Sequence, residues 1–196
     1  HDAATIVVAV IDSGCDLAHP ELSAAIWTNE DEIPANGRDD DKNGFVDDVR
    51  GWNFADDSND PTGLVEQTFN RAHGTHVAGI IAGARNGLGN NGIAAPNVRI
   101  MAVRAVPDGD ERDKDVANAI RYAVDNGARI INASFGKSFS PNKEWVYEAI
   151  KYAARKNVLI VHAAGNDGLD LDDPALLAGL FAAIQALSAQ GLLLAY

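Results

Sequence analysis

The sequence has one cysteine, one methionine and few basic residues. The single cysteine, Cys15, excludes an intrachain disulfide. Sixteen Lys and Arg stand against 28 Asp and Glu, which gives a net charge of −12. A chain of this charge repels the phosphates of DNA and RNA. We therefore expect no nucleic-acid partner.

Charge is absent from the last 23 residues, which follow Asp173. This apolar tail is about long enough to cross a bilayer, but Gln185, Ser188 and Gln190 interrupt it, so we expect no membrane partner. The whole chain has 196 residues, of which 46% are apolar, enough for one sizeable core. It starts at His1 and shows no signal peptide, so we expect a processed or cut N-terminus.

Strand and helix patterns alternate along the chain. Apolar runs predict strands over 5–11, 98–106, 128–135 and 158–164, and amphipathic or small-residue patterns predict helices over 73–83, 113–127 and 142–157. Because the strands are apolar on both faces, we predict a three-layer α/β fold, a mainly parallel sheet with helices on both faces. In such sheets ligands bind beyond the carboxyl ends of the strands.

Three chemically useful side chains occur at or near these predicted strand ends. Asp12 ends the first strand, His73 opens a helix in "HGTHVAG", and Asn166 follows the last strand in "AAGN". A buried acid can orient an imidazole, the imidazole can take a proton from a nucleophile, and an amide can donate to an oxyanion. The three residues together indicate acyl-transfer chemistry.

The motifs "VAVIDSGCDLAHPEL", "HGTHVAGIIAG", "IINASFG" and "AAGN" resemble those of the subtilisin-like serine proteases, the subtilases (peptidase family S8), in the family's order. The resemblance implies Asp12 as the triad acid, His73 as the base and Asn166 as the oxyanion donor. It implies that Ser134, Phe135 and Gly136 line the specificity pocket and pair with an extended peptide. It further implies a subtilisin-like fold, serine endopeptidase activity through an acyl-enzyme, secretion, and an N-terminal propeptide in the precursor.

The sequence departs from the family after about Leu171. The family's nucleophile lies in a Gly-Thr-Ser-Met-Ala-like turn, which is absent here, and Ser188 is the only serine after Asn166. We therefore divide the chain into a partial catalytic domain, 1–171, with its C-terminal part missing or altered, and an apolar tail, 172–196. We expect endopeptidase activity in an intact parent and inactivity in this chain alone. The alternatives are a non-catalytic peptide-binding pseudoprotease and a calcium-binding module.

An acidic insertion, 29–60, contains eleven Asp and Glu against three Lys and Arg. Within it, "DDDKNGFVDD" places oxygen-bearing residues at alternate positions before a glycine, a pattern typical of calcium loops. Arg50 stands where an EF-hand would require Glu. We predict a structural calcium site, and its expected ligands are Asp39, Asp41, Asn43, the carbonyl of Phe45, and Asp47 or Asp48.

The stretch "GLGNNG" at 87–92 matches the glycine spacing of dinucleotide-binding loops. That motif requires a strand before it and a helix after it, and here the order is reversed. We therefore predict a flexible loop, with nucleotide binding as the alternative. The resemblance implies a second calcium near this loop, held by Glu21 with carbonyls near Asn86 and Asn90.

Overall fold

A parallel sheet forms the centre of the fold. The computed structural model describes residues 5–63, 69–137, 140–163, 165–166 and 193–195. Within these ranges the strands follow the order β2-β3-β1-β4-β5-β6, and every paired neighbour is parallel. The strands are β1 Ile6–Asp12, β2 Gly51–Asn53, β3 Val98–Arg104, β4 Ile130–Ala133, β5 Leu159–His162 and β6 Leu193–Ala195.

Helices cover both faces of the sheet. They are α1 Phe69–Ala82, α2 Asp113–Asp125 and α3 Lys143–Arg155. Alternate residues of β1 divide between two cores, because successive side chains of a strand point to opposite faces. Val8 and Val10 pack with α1, whereas Ala9 and Ile11 pack with α2 and α3. The prediction of a three-layer α/β fold with a mainly parallel sheet is therefore confirmed.

The predicted strands and helices each occur within a few residues of their expected bounds. The sequence patterns did not predict β2 or β6, because each has three residues, too few to show a period. Among the described residues, no helix is long and apolar enough to cross a membrane. Apart from β6, the tail lies outside the described residues, as does the proposed boundary at residue 171.

Candidate active site

Asp12 is the last residue of β1 and is 3% exposed. Its Oδ1 accepts hydrogen bonds from the backbone N of Ser13 at 2.7 Å and from the Ser13 hydroxyl at 3.1 Å. Its own carbonyl accepts from the amides of Ala105 and Val106. A buried carboxylate costs free energy unless it is paired, and the two bonds from Ser13 to Oδ1 supply part of the pairing.

His73 supplies the remaining partner. Its Nδ1 lies 2.8 Å from Asp12 Oδ1 and 3.0 Å from Asp12 Oδ2. A carboxylate at Nδ1 favours the tautomer with the proton on Nδ1, which leaves a lone pair on Nε2. The His73 side chain is 39% exposed. The arrangement therefore presents a base to a partner that approaches from solvent.

The Asp12–His73 contact requires close approach of α1 to β1. Gly74 lies at the crossing, where an added Cβ would lie 2.2 Å from Gly14 O and 3.0 Å from Asp12 Cβ. Gly14 has a φ of +116°, and a Cβ there would lie 2.7 Å from Thr62 O. Both positions therefore need glycine, which places the helix close enough for the imidazole to reach the carboxylate.

Arg104 ends β3 and lies opposite Asp12 in the strand register. It is 5% exposed. Its Nε donates to Ser13 O at 3.2 Å, and its Nη1 pairs with Asp56. Arg104 therefore fixes the turn that follows Asp12. Arg104 was not among the predicted site residues, although an arginine at the end of an apolar strand indicates a buried charge that needs a partner.

The expected peptide-binding residues follow β4, which lies between β1 and β5 in the sheet. Ser134 and Phe135 are half-buried and Gly136 is exposed. The Asn132 side-chain amide donates to Ser134 Oγ at 2.8 Å. Asn166 lies exposed beyond the carboxyl end of β5. Since the strands are parallel, these groups lie at the same end of the sheet as Asp12, where the carboxyl ends of the strands meet.

The first part of the acidic insertion, residues 29–50, lies at the amino ends of the strands, because it immediately precedes β2. There Glu32, Asp39 and Asp41 place carboxylate oxygens within 4.8 Å of one another. Glu32 was not among the predicted ligands. Its oxygens accept the backbone amides of Asp40, Asp41 and Asp47 at 2.7, 3.2 and 3.1 Å. No sequence spacing links Glu32 to the loop.

The other predicted calcium ligands divide between two environments. Asn43 Nδ2 donates to Asp41 Oδ2 and Asp48 Oδ2, each at 3.0 Å. Asp48 is fully buried, and its Oδ2 also accepts from Tyr122 at 2.7 Å. The Asp47 carboxylate instead accepts from the backbone amides of Asn36 and Gly37. Asp48 is therefore better placed than Asp47 to join Asp39 and Asp41.

Phe45 was predicted to bind calcium through its backbone carbonyl. Its side chain packs in an aromatic cluster. Its ring centroid lies 5.0 Å from Trp52, 5.5 Å from Phe54 and 5.0 Å from Tyr122. The cluster fastens the loop to the hydrophobic core beside α2.

At the GLGNNG loop, Asn86 Nδ2 donates to both Glu21 carboxylate oxygens at 3.1 Å.

The chain therefore has a parallel sheet flanked by helices, with the Asp12–His73 pair at the carboxyl ends of the strands. The model of the subtilase family matches residues 3–191. The chain belongs to the subtilase family.

The curated relatives are named as proteases. The chain is 36% identical over 162 residues to the thermophilic serine proteinase of Bacillus sp. (strain AK1), covering 82% of this chain and 33% of the relative. It is 34% identical over 164 residues to thermitase of Thermoactinomyces vulgaris, covering 82% and 47%. The chain thus spans between a third and a half of the length of these relatives.

Solved structures agree with the fold. The nisin leader peptidase NisP from Lactococcus lactis has a TM-score of 0.60 and 28% identity, covering 95% of this chain and 49% of that one. The protease domain of PatA, as an S218A mutant, has a TM-score of 0.57 and 30% identity, covering 86% and 54%. The subtilisin-like arrangement of sheet and helices is therefore confirmed.

Proposed function

We propose that this chain carries the acid, the base and the peptide-binding edge of a subtilase serine endopeptidase. The observation that supports this most directly is the 2.8 Å contact between His73 Nδ1 and Asp12 Oδ1. In an intact parent, a serine would complete the site and peptide bonds would be hydrolysed through an acyl-enzyme. Ser188 lies outside the described residues, and the chain alone is proposed to be inactive.

Each residue has a defined task in this proposal. His73 Nε2 takes the serine proton as the hydroxyl attacks the peptide carbonyl and then delivers it to the leaving amine. Asp12 holds the imidazole and stabilises its charged form. The Asn166 amide donates to the oxyanion of the tetrahedral intermediate. Ser134, Phe135 and Gly136 pair with an extended peptide or protein substrate and position its scissile bond.

The first test is the intact mass of the folded chain after treatment with a fluorophosphonate probe. Ser188→Ala identifies the labelled serine, and His73→Ala tests whether labelling needs the base. His76→Ala is the matched control, because His76 lies exposed on the same helix. We expect no adduct on this chain and one adduct on a parent that contains a catalytic serine. An adduct here that His73→Ala abolishes would make this chain itself an enzyme.

The same measurement separates the proposal from its alternative. If a longer parent, folded and complete, also gives no adduct yet binds peptides, the protein is a peptide-binding pseudoprotease. If neither labelling nor peptide binding is found, the endopeptidase proposal is wrong and a calcium-binding module is the remaining reading.

We further propose that the acidic loop holds a structural calcium ion. The oxygen ligands offered by Asp39, Asp41 and Glu32, with Asn43 and Asp48 beside them, suit a hard cation. Bound calcium would neutralise part of the loop's negative charge and restrict its backbone. We also propose secretion and an N-terminal propeptide in the precursor, on the family resemblance alone. Mass analysis of the mature protein in culture medium tests both.

A further inference from the structure

The segment Ser134–Gly136 leaves the sheet at the end of β4. Sheet pairing of β4 ends at Ala133, which lies opposite His162. Phe135 packs its ring edge-on against His162 with centroids 6.1 Å apart. A peptide pairs most tightly with this segment when the backbone of Ser134–Gly136 is already fixed in one conformation, because ordering that backbone on binding would reduce affinity.

Lys137 follows the segment directly and is held by two acceptors. Its Nζ lies 2.8 Å from Asp113 Oδ1 and donates to Glu111 O at 2.5 Å. Asp113 lies in the first turn of α2. The lysine therefore ties the chain after β4 to the beginning of α2.

Asp113 makes two more bonds to the same stretch of chain. Ser140 Oγ donates to its Oδ1 at 2.7 Å, and the backbone amide of Asn142 donates to its Oδ2 at 2.8 Å. We name Asp113, Lys137, Ser140 and Asn142 the Asp113 cluster. Its bonds fasten the later part of the connection between β4 and α3, from Lys137 to Asn142, to one carboxylate.

The two charged side chains of the Asp113 cluster are buried, whereas Asn142 lies exposed at its rim. The side chains of Asp113 and Lys137 are 2% and 9% exposed. Burial alone would raise the pKa of Asp113, but the bonds from Lys137, Ser140 and Asn142 outweigh it and lower the pKa. Burial raises the pKa of the neighbouring Glu111 carboxyl. Bonds between buried charged groups are short and directional, so they fix geometry better than exposed pairs do.

We propose that the Asp113–Lys137 pair is a positioning device that holds Ser134–Gly136 in the conformation that binds an extended peptide. The inference rests on the proposed peptidase function, because it assigns the segment a peptide ligand. Lys137 does not touch the reacting atoms. It acts through the backbone of Gly136, to which it is joined, and Asp113 sets its position.

The test measures affinity and chemistry separately on the full chain. Succinyl-Ala-Ala-Pro-Phe chloromethyl ketone binds as a peptide and then alkylates a base near its carboxyl end. The lone pair of His73 Nε2 attacks the methylene carbon, the C–Cl bond breaks and chloride leaves, giving an imidazolium beside Asp12. The alkylation rate at increasing probe concentration gives a half-saturating concentration and a limiting rate, both read by intact mass.

Lys137→Met removes the charge and keeps most of the side-chain length. We expect the half-saturating concentration to rise about tenfold, the effect of losing one charge-assisted hydrogen bond from the binding conformation, while the limiting rate changes little. Lys137→Arg should restore most of the affinity. Lys151→Met is the matched control, because Lys151 pairs with Glu148 on the exposed face of α3, and it should leave both values unchanged.

Three results would overturn the inference in different ways. If Lys137→Met is folded by circular dichroism and keeps the wild-type half-saturating concentration, the positioning role is wrong and the peptidase proposal stands. If the wild type shows no saturable reaction with the probe, Ser134–Gly136 does not bind an extended peptide in this chain and the inference fails, while fluorophosphonate labelling of the parent still decides the proposed function. If His73→Ala does not abolish alkylation, His73 is not the base, and the proposed function and the inference both fail. Should Lys137→Met not fold, the double variant Lys137→Met with Asp113→Asn removes both charges together, and the same loss of affinity is expected.

Discussion

At the scale of single residues, the Asp12–His73 contact depends on the absence of a side chain at Gly74. Gly74→Ala would place a Cβ 2.2 Å from Gly14 O, so α1 must move away from β1. We expect a loss of about 1–3 kcal/mol in the free energy of unfolding, as for other overpacked sites. Urea unfolding followed by circular dichroism measures it.

Gly79→Ala is the control for this prediction. Gly79 lies on the same helix, and an added Cβ there meets nothing within 4 Å. It should raise stability by up to about 1 kcal/mol, because alanine favours helix over glycine. If the two substitutions change the free energy of unfolding equally, helix propensity, and not the close crossing with β1, determines the effect of Gly74→Ala.

Cys15 is 1% exposed and lies three residues after Asp12. Burial first, and then Asp16 and Asp12, raise the pKa of its thiol from 9.0 to about 12. As pH rises above 9.0 the unfolded chain loses this proton and the folded chain keeps it, so the folded state loses stability. Relative to Cys15→Ala, we expect the wild type to lose about 1.4 kcal/mol between pH 8 and 10. If the difference in the free energy of unfolding between the wild type and Cys15→Ala, measured in urea, does not change with pH, burial does not raise the pKa of the Cys15 thiol.

At the scale of elements, α2 runs from the carboxyl ends of the strands to their amino ends. Its first turn carries Asp113 of the Asp113 cluster, and near its end Tyr122 donates to Asp48 at 2.7 Å. Tyr122→Phe would remove one donor from a fully buried carboxylate. We expect a loss of about 1–3 kcal/mol in the free energy of unfolding, the cost of leaving a buried acceptor short of a partner.

Tyr152→Phe is the comparison for that prediction. The Tyr152 hydroxyl also donates to a carboxylate, Asp125 Oδ1 at 2.5 Å, but in an exposed position. Water can replace that bond, so we expect a smaller loss. If both substitutions cost the same in urea unfolding, the burial of Asp48 does not make its hydrogen bond important.

The elements also show what sequence can and cannot predict. The strands that end at Asp12 and Ala133 and the helices α2 and α3 were predictable because their apolar residues repeat at fixed spacings. So was the placing of Asp12 and Asn166 at one edge, since parallel strands end together. Glu32 and Lys137 were not predictable, because their partners are set by how loops fold across the sheet. No local pattern links either residue to its acceptors or donors.

At the scale of the whole molecule, the acidic loop and the Asp12–His73 pair lie at opposite ends of the parallel strands. The part of the acidic insertion that precedes β2, residues 29–50, has eight Asp and Glu against three Lys and Arg and so carries −5 of the net charge of −12. The Asp12–His73 pair lies where the strands end. A cation in the loop would therefore act on stability, through the aromatic cluster and Tyr122, and would not touch the reacting groups.

Calcium should accordingly raise the thermal unfolding temperature without changing the alkylation rate of His73. An ion that binds only the folded chain adds about 2.7 kcal/mol of stability at a concentration one hundred times its dissociation constant. Asp41→Asn should remove most of this gain, because Asp41 lies in the carboxylate group with Glu32 and Asp39.

Asp47→Asn is the control variant. It makes the same chemical change on a carboxylate that accepts from the amides of Asn36 and Gly37, and it should keep the stability gained from calcium. Sodium chloride at matched ionic strength separates a bound ion from diffuse screening of the acidic loop. A calcium effect that sodium reproduces, or that both variants retain equally, would mean that the loop is only a solvated acidic surface.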